Sequence, residues 1–162
     1  MSRSRPARAG RSVATLTALA LTATLLGGCA GTVKLPAAEN ANDPACADIG
    51  VRYPAAVAGQ DRRWTDAQST AAWGSPTAVI VTCGVAVPGP TTLPCQTFDG
   101  VDWVIDDSQA PRYLATTFNR TPAVQIYLDG DTVPASDVMS TLSAIVSRLP
   151  ANDAQCTNRV DG

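Results

Sequence analysis

The first 29 residues constrain the fold more than any other part of the sequence, because they predict the cell compartment in which the remaining chain folds. The segment begins with four arginines and no acidic residue, and the stretch from Val13 to Leu26 carries no charge; the arginines are Arg3, Arg5, Arg8 and Arg11. This is the layout of an export signal. The apolar stretch is shorter than the roughly 20 residues that a membrane-spanning helix needs. We therefore expect the segment to be cleaved.

The residues at the end of this segment match the lipobox of lipoprotein signals: a branched apolar residue and two small residues precede a cysteine, as Leu26, Gly27, Gly28 and Cys29. Small side chains suit the signal peptidase, and the cysteine thiol accepts a diacylglyceryl group. Two acyl chains bind a bilayer firmly, at about 0.8 kcal/mol per buried methylene. The alternative is an ordinary secretory signal with a chance cysteine. We predict a signal peptide over 1–28 and lipidation of Cys29, which anchors the protein at the extracytoplasmic face of the cell membrane.

Cleavage before Cys29 leaves 134 residues, the size of one domain. This part has eight basic residues against 14 acidic ones, a formal charge of −6. Such a charge disfavours binding to nucleic acid or electrostatic attraction to an anionic membrane. The lipid is therefore the predicted membrane attachment, and no nucleic-acid partner is expected.

Four further cysteines predict two disulfides in an exported domain, and three connectivities are possible; they are Cys46, Cys83, Cys95 and Cys156. We favour Cys83 with Cys95, which bracket a loop rich in proline and glycine, and Cys46 with Cys156, which would join the ends of the domain. A metal site is a weak alternative, because no C-x-x-C spacing and no histidine occur. We expect neither a metal nor a cofactor.

Composition and periodicity predict an α+β domain over 44–162, preceded by a lipidated flexible tether over 29–43 that is rich in Ala, Asn, Gly and Pro. An N-terminal helix is expected from Asp43-Pro44 to Pro54, with Cys46, Ile49 and Tyr53 on one face. A C-terminal helix is expected from a Ser136 cap to Pro150, with an apolar stripe from Val138 to Leu149.

Between the helices, alternating and β-branched residues predict an antiparallel sheet of four to six strands. Residues 78–85 form an apolar run that predicts a strand buried on both faces. Residues 96–105 predict a hairpin that turns at Asp99-Gly100. Residues 113–118 and 123–128 predict a further antiparallel pair around 119–122.

The residue types that are missing exclude several catalytic systems. The chain has no histidine, which excludes Ser-His-Asp and Cys-His nucleophile systems, and its only glutamate, Glu39, lies in the predicted tether. Four aspartates cluster at Asp99, Asp102, Asp106 and Asp107. Asp102 and Asp106 would stand about 13 Å apart along one strand, beyond the roughly 5 to 9.5 Å that a glycosidase needs. We expect these aspartates to solvate the hairpin. A calcium site there, or at Asp129 and Asp131, lacks EF-hand spacing.

Aromatic and basic side chains offer a second possibility, a binding surface. Trp64, Trp73, Trp103, Tyr113 and Tyr127 could line a groove for a sugar or a peptide, although tryptophans in a small domain more often lie in the core. Arg62, Arg63 and Arg120 could together receive an anionic group, but nothing in the sequence brings them together.

Four segments resemble an actinobacterial family of secreted or lipid-anchored proteins known as domain-of-unknown-function family 3515. They are Ala72-Trp73-Gly74-Ser75-Pro76, Thr82-Cys83-Gly84-Val85, Cys95-Gln96-Thr97-Phe98-Asp99-Gly100-Val101-Asp102-Trp103 and Asn119-Arg120-Thr121-Pro122-Ala123-Val124. The family has no known activity, so the resemblance implies no catalytic residue. It implies a role in the cell envelope and a shared surface motif that includes Trp73, Asp102, Trp103 and Arg120.

These observations favour a non-enzymatic binding or accessory module that meets an envelope protein or a small ligand. An aspartate-dependent hydrolase or transferase acting on envelope glycans is the alternative, and it requires two aspartates within catalytic distance in a cleft, one with a raised pKa. A purely structural spacer is the third possibility, and it requires that no surface cluster of Trp, Tyr and Arg exists.

Overall fold

A computed structural model describes residues 31–157. In this part of the chain, eight strands form one antiparallel sheet and two helices pack on it. The elements are α1 (Pro44–Gly50), β1 (Ala56–Val57), β2 (Gln60–Arg63), β3 (Thr70–Trp73), β4 (Val79–Val85), β5 (Cys95–Phe98), β6 (Val101–Gln109), β7 (Arg112–Thr117), β8 (Ala123–Asp129) and α2 (Ala135–Val146).

The predicted α+β class and antiparallel sheet are confirmed, but the sheet has more strands than the four to six expected. The order is β1-β2-β3-β4-β8-β7-β6-β5, so each half of the sheet is a meander and β8 joins them by pairing with β4. The three strands that the sequence did not reveal are β1, β2 and β3. They are short, and β2 consists of Gln60, Asp61, Arg62 and Arg63, which resemble a loop in composition.

The predicted hairpins form where the sequence places them. Asp99 and Gly100 both have positive φ, 48° and 73°, as the two central residues of a type I′ turn require. β5 and β6 pair across this turn, and β7 pairs with β8 across 118–122. The predicted strand over 78–85 is β4, but only one of its faces is fully buried, since Ile80 and Thr82 are half-buried.

Both helices cover the same face of the sheet. Asp43 caps α1 by accepting a hydrogen bond from the Ala45 amide at 2.8 Å, and Cys46, Ile49 and Tyr53 are buried as predicted. α2 begins after Pro134 without a side-chain cap, so the predicted Ser136 cap is wrong. The Ser136 hydroxyl donates instead to Asp137. The α2 side of the core contains Val138, Met139, Leu142 and Val146.

The sheet therefore has a core face and an opposite face, which we call the open face. Directly paired residues of antiparallel strands share a face, so the register assigns side chains to each. The core face carries Val81, Ile126, Ala115 and Trp103, whereas the open face carries Thr82, Gln125, Thr116 and Val104. Residues 86–94, which join β4 to β5, lie against one end of the open face.

Two disulfides occur, but not with the favoured connectivity. Cys46 pairs with Cys83 and ties α1 to β4, and Cys95 pairs with Cys156 and ties β5 to the C-terminal segment. The favoured bond between Cys83 and Cys95 is wrong because β4 and β5 lie four strands apart in the sheet. This is about 19 Å at 4.8 Å per strand, whereas disulfide-bonded Cα atoms lie about 4.4 to 6.8 Å apart.

The segment over 31–42, part of the predicted flexible tether, is packed on the domain. Val33 pairs with Thr65, the Leu35 amide donates to the Asp66 carboxylate at 2.9 Å, and Ala41 is buried. The Asn40 amide donates to the Gly84 carbonyl at 3.0 Å. Residues 31–42 therefore belong to the same compact unit as the sheet and the helices. Within this unit, neither helix is long and apolar enough to span a bilayer.

Candidate functional site

The open face carries a concave surface, and we call it the open-face groove. Its central part has a volume of about 380 Å³. The segment over 88–93 forms one wall, and the floor consists of side chains from β6, β7 and β8. The lining residues are Pro88, Gly89, Pro90, Thr91, Leu93, Val104, Asp106, Leu114, Thr116 and Gln125.

Two smaller hollows continue the groove at its ends. One, of about 210 Å³, lies beside the disulfide between Cys95 and Cys156 and shares Leu93 and Val104 with the central part. The other, of about 60 Å³, lies at the β6–β7 hairpin and shares Asp106 and Leu114. It adds Arg112 and Tyr127 to the lining. The groove thus crosses four strands.

The chemistry of the groove is mostly neutral. Hydroxyl and amide groups come from Thr91, Thr116 and Gln125, and the Gln125 side-chain nitrogen donates to the Thr116 hydroxyl at 3.1 Å. Leu93 and Leu114 supply apolar surface. Such a mixture suits an amphipathic ligand, because a few polar groups fix its orientation while apolar contacts supply binding energy.

Asp106 is the only carboxylate among the described residues that line the groove. The Ser108 hydroxyl and then the Ser108 amide hydrogen-bond to it, and they hold the pKa of Asp106 below its usual range. Asp106 is therefore ionised at neutral pH and can accept a hydrogen bond or attract a cation. The alternative hydrolase requires a second aspartate nearby and a raised pKa, so the groove offers no observation in its favour.

The other clustered aspartates lie elsewhere. Asp102 is buried beneath the C-terminal segment, where it accepts hydrogen bonds from the Thr97 hydroxyl at 2.6 Å and the Cys156 amide at 2.9 Å. Asp99 lies in the exposed turn, and Asp107 is exposed on β6. Within residues 31–157, no three His, Cys, Asp or Glu side chains are grouped as metal ligands would be.

The predicted surface motif is buried and does not form a surface. Trp73 and Trp103 are fully buried, and Asp102 and Arg120 nearly so. The Trp103 indole donates to the Ser143 hydroxyl of α2 at 2.9 Å, and the Trp73 indole donates to the Pro54 carbonyl at 3.1 Å. These residues join the sheet to its helix layer.

The three candidate arginines do not meet. Arg120, on the β7–β8 loop, donates to the carbonyls of Asn119 and Gly100, and its burial lowers its guanidinium pKa against the opposing effect of Asp102. Arg62 lies over the rings of Tyr53 and Trp73 at 5.8 and 6.0 Å. Arg63 donates to Gly74 and to Gly31. No single anion site therefore combines them.

The predicted lipidation and cleavage site at Leu26, Gly27, Gly28 and Cys29 lies outside the described residues.

The five candidate aromatic residues lie in three different parts of the structure. Trp73 and Trp103 lie in the core, Tyr113 and Tyr127 line the hairpin end of the groove, and Trp64 is exposed near the first described residues.

A family model described as "Protein of unknown function (DUF3515)" matches residues 11–154. The chain belongs to this family. No curated protein and no solved structure matches the chain. The DUF3515 segments recognised in the sequence thus have a structural explanation: Trp73, Asp102, Trp103 and Arg120 hold strands, helices and the C-terminal segment together. The groove residues Leu93, Leu114, Thr116 and Gln125 all lie outside those segments, and Gln125 directly follows the last one.

Proposed function

We propose that this DUF3515 protein is a lipid-anchored binding module of the cell envelope, held by Cys29 at the outer face of the cytoplasmic membrane, and that the open-face groove receives its ligand. The observation that carries the proposal is the asymmetry of the sheet. Both helices cover the core face, while the open face keeps a groove of about 380 Å³ beside a proline-rich wall. Ligand sites are typically concave and largely pre-formed in this way.

The lining favours an uncharged amphipathic ligand, such as an extended segment of an envelope protein. Pro88 and Pro90 stiffen the wall, because proline restricts the backbone. Leu93 and Leu114 offer apolar contacts, and Asp106 offers one negative charge at the hairpin end. Arg112 lines the same end, so the groove carries one charge of each sign there and has no net charge that would favour a strongly anionic or cationic ligand.

Photo-crosslinking from inside the groove tests the ligand site. A photoreactive benzoyl-phenylalanine replaces Leu93, which is 39% exposed in the groove wall, and a control form carries it at Val51, which is 81% exposed after α1. In native membranes, the Leu93 form should capture a species that the Val51 form does not. Capture should disappear with Thr116→Arg, which fills the groove, while the free energy of unfolding falls by no more than about 1 kcal/mol through loss of the hydrogen bond from Gln125.

Equal capture from both positions, or capture unaffected by Thr116→Arg, would contradict the ligand site. The anchor is tested separately. Mass spectrometry of the membrane-extracted protein should find a diacylglyceryl group on Cys29, and Cys29→Ala should move the protein to the soluble fraction. An unmodified Cys29 in membrane-bound protein would refute the anchor and leave the groove untouched.

A further inference from the structure

The first described residues lie along one short segment after β2. The Gly31 carbonyl accepts a hydrogen bond from the Arg63 guanidinium. The Val33 amide donates to the Trp64 carbonyl at 2.8 Å, and the Asp66 amide donates to the Val33 carbonyl at 3.2 Å. The position of Gly31 is therefore fixed beside Arg63 and Trp64.

The side chain of Trp64 is 83% exposed at this point. The other two tryptophans of the chain, Trp73 and Trp103, are fully buried and hydrogen-bonded. Trp64 contributes its backbone to the pairing with Val33, but its indole is left in solvent. Burial of such a ring in an apolar environment would be favourable by roughly 2 to 3 kcal/mol, so solvent is a poor environment for it.

The length of chain before Gly31 indicates what covers this ring. Cys29 precedes Gly31 by two residues, which span at most about 7 Å when fully extended. With the proposed lipid on Cys29, on which this inference rests, the headgroup layer of the bilayer lies within that distance of the Gly31 backbone. Tryptophan is enriched at this layer, because its ring is apolar while its N–H remains hydrogen-bonded.

The charge of the same segment is compatible with contact with the headgroup layer. The segment and the adjoining strand contain three basic residues, Lys34, Arg62 and Arg63, and two acidic ones, Asp61 and Asp66, so their formal charge is +1 in a mature chain of −6. An excess of one charge gives little attraction to anionic lipid, about 1 kcal/mol. The indole therefore supplies the main contact, and the basic side chains can meet lipid phosphates.

We propose that Trp64, with Lys34 and Arg63 beside it, forms a membrane-contact surface that inserts its indole into the phospholipid headgroup layer holding the Cys29 lipid. This contact fixes the orientation of the domain. β2 lies five strands from β6 in the sheet, about 24 Å at 4.8 Å per strand. The groove end at the β6–β7 hairpin is thereby held away from the bilayer and open to a ligand in the envelope.

Fluorescence quenching by brominated lipids tests the contact. The lipidated protein is reconstituted into vesicles of phosphatidylcholine and phosphatidylglycerol with acyl chains brominated near the headgroup. We expect a blue shift of the emission and a loss of intensity no larger than the share of one tryptophan in three. Trp64→Phe should abolish both effects. Trp64→Phe with Gln109→Trp, which moves the exposed ring to the β6–β7 hairpin, should not restore them.

Two results would overturn the proposal: quenching that persists in Trp64→Phe, or equal quenching of the Gln109→Trp ring. Mass spectrometry of the same sample reports the Cys29 lipid, so a missing anchor is recognised independently. In that case the Cys29 thiol is coupled to a maleimide lipid, since the other four cysteines form disulfides. Quenching of Trp64 in the coupled protein would support the contact surface, and its absence would refute it.

Discussion

At the scale of single residues, the burial of Tyr53 makes the stability of the fold depend on pH. Its hydroxyl is buried without a hydrogen-bond partner among the described residues, and its ring packs edge-to-face on Trp73 at 5.9 Å between centroids. Burial raises the pKa of the Tyr53 phenol, and the nearby Arg62 guanidinium lowers it by less. The folded protein therefore favours the neutral phenol. This contribution to stability is complete below the unfolded pKa of about 10 and is lost as the pH rises above it.

Tyr53→Phe should stabilise the domain. At pH 7 the free energy of unfolding should rise by about 1 kcal/mol, because a buried hydroxyl without a partner is removed. Between about pH 10 and 11 the wild-type protein should lose stability that Tyr53→Phe retains. Urea unfolding of both proteins, followed by circular dichroism at pH 7 and at about pH 11, measures the difference. A variant that loses as much stability as the wild type at high pH would contradict this account.

Residue patterns predicted which side chains matter for the fold better than which ones line the groove. Tyr113, Tyr127 and Asp106 were candidates for aromatic or carboxylate chemistry, and they do line its hairpin end. Thr116 and Gln125 carry no local signal, since their position on the open face follows only from the register of β7 with β8. The motif residue Asp102 was expected at the surface, but the C-terminal segment covers it. That contact joins residues 54 positions apart, which no local pattern reveals.

At the scale of elements, Gly84 allows residues 31–42 to pack on β4. It lies at a register shift between Cys83 and Val85, with φ at 91°, and a Cβ atom there would lie 2.4 Å from the Asn40 carbonyl. Gly84→Ala should lower the free energy of unfolding by about 2 kcal/mol or more, from the strained backbone and this contact. Gly89→Ala is the matched control, because nothing lies within 4 Å of its Cβ position. Urea unfolding of both variants tests this; equal effects would refute it.

Elements with strong local signals were predicted, and elements that depend on distant pairing were missed. The Asp43-Pro44 start of α1 and the Asp99-Gly100 turn each follow from backbone preferences of two adjacent residues. β2 has no apolar alternation, and it tolerates charged residues because it lies near the edge of the sheet. The favoured disulfide connectivity was wrong for a related reason. Cys83 and Cys95 are close in sequence, but the sheet order separates them.

At the scale of the whole molecule, the packing of residues 31–42 determines how far the domain can extend from the proposed anchor. A free tether over 29–43 would hold the domain on average about 20 Å from the lipid. With Gly31, Val33 and Leu35 bonded to residues 63–66, only Ala30 separates Cys29 from the folded unit. The domain would then lie directly on the membrane surface, as the proposed Trp64 contact requires.

Proteolysis at Lys34 distinguishes a packed segment from a free tether. Lys34 is exposed, but the amide of the scissile bond, that of Leu35, donates to the Asp66 carboxylate. Trypsin should therefore cut Lys34 slowly in the folded protein. Asp66→Ala should speed this cut roughly fivefold, since loss of about 1 kcal/mol eases local opening. Asp131→Ala, which removes an exposed carboxylate beyond β8, should leave it unchanged. Mass spectrometry of timed digests gives the rates. Cutting as fast in the folded protein as in urea would mean that this segment is a free tether, and the Trp64 surface would then lose its fixed distance from the bilayer.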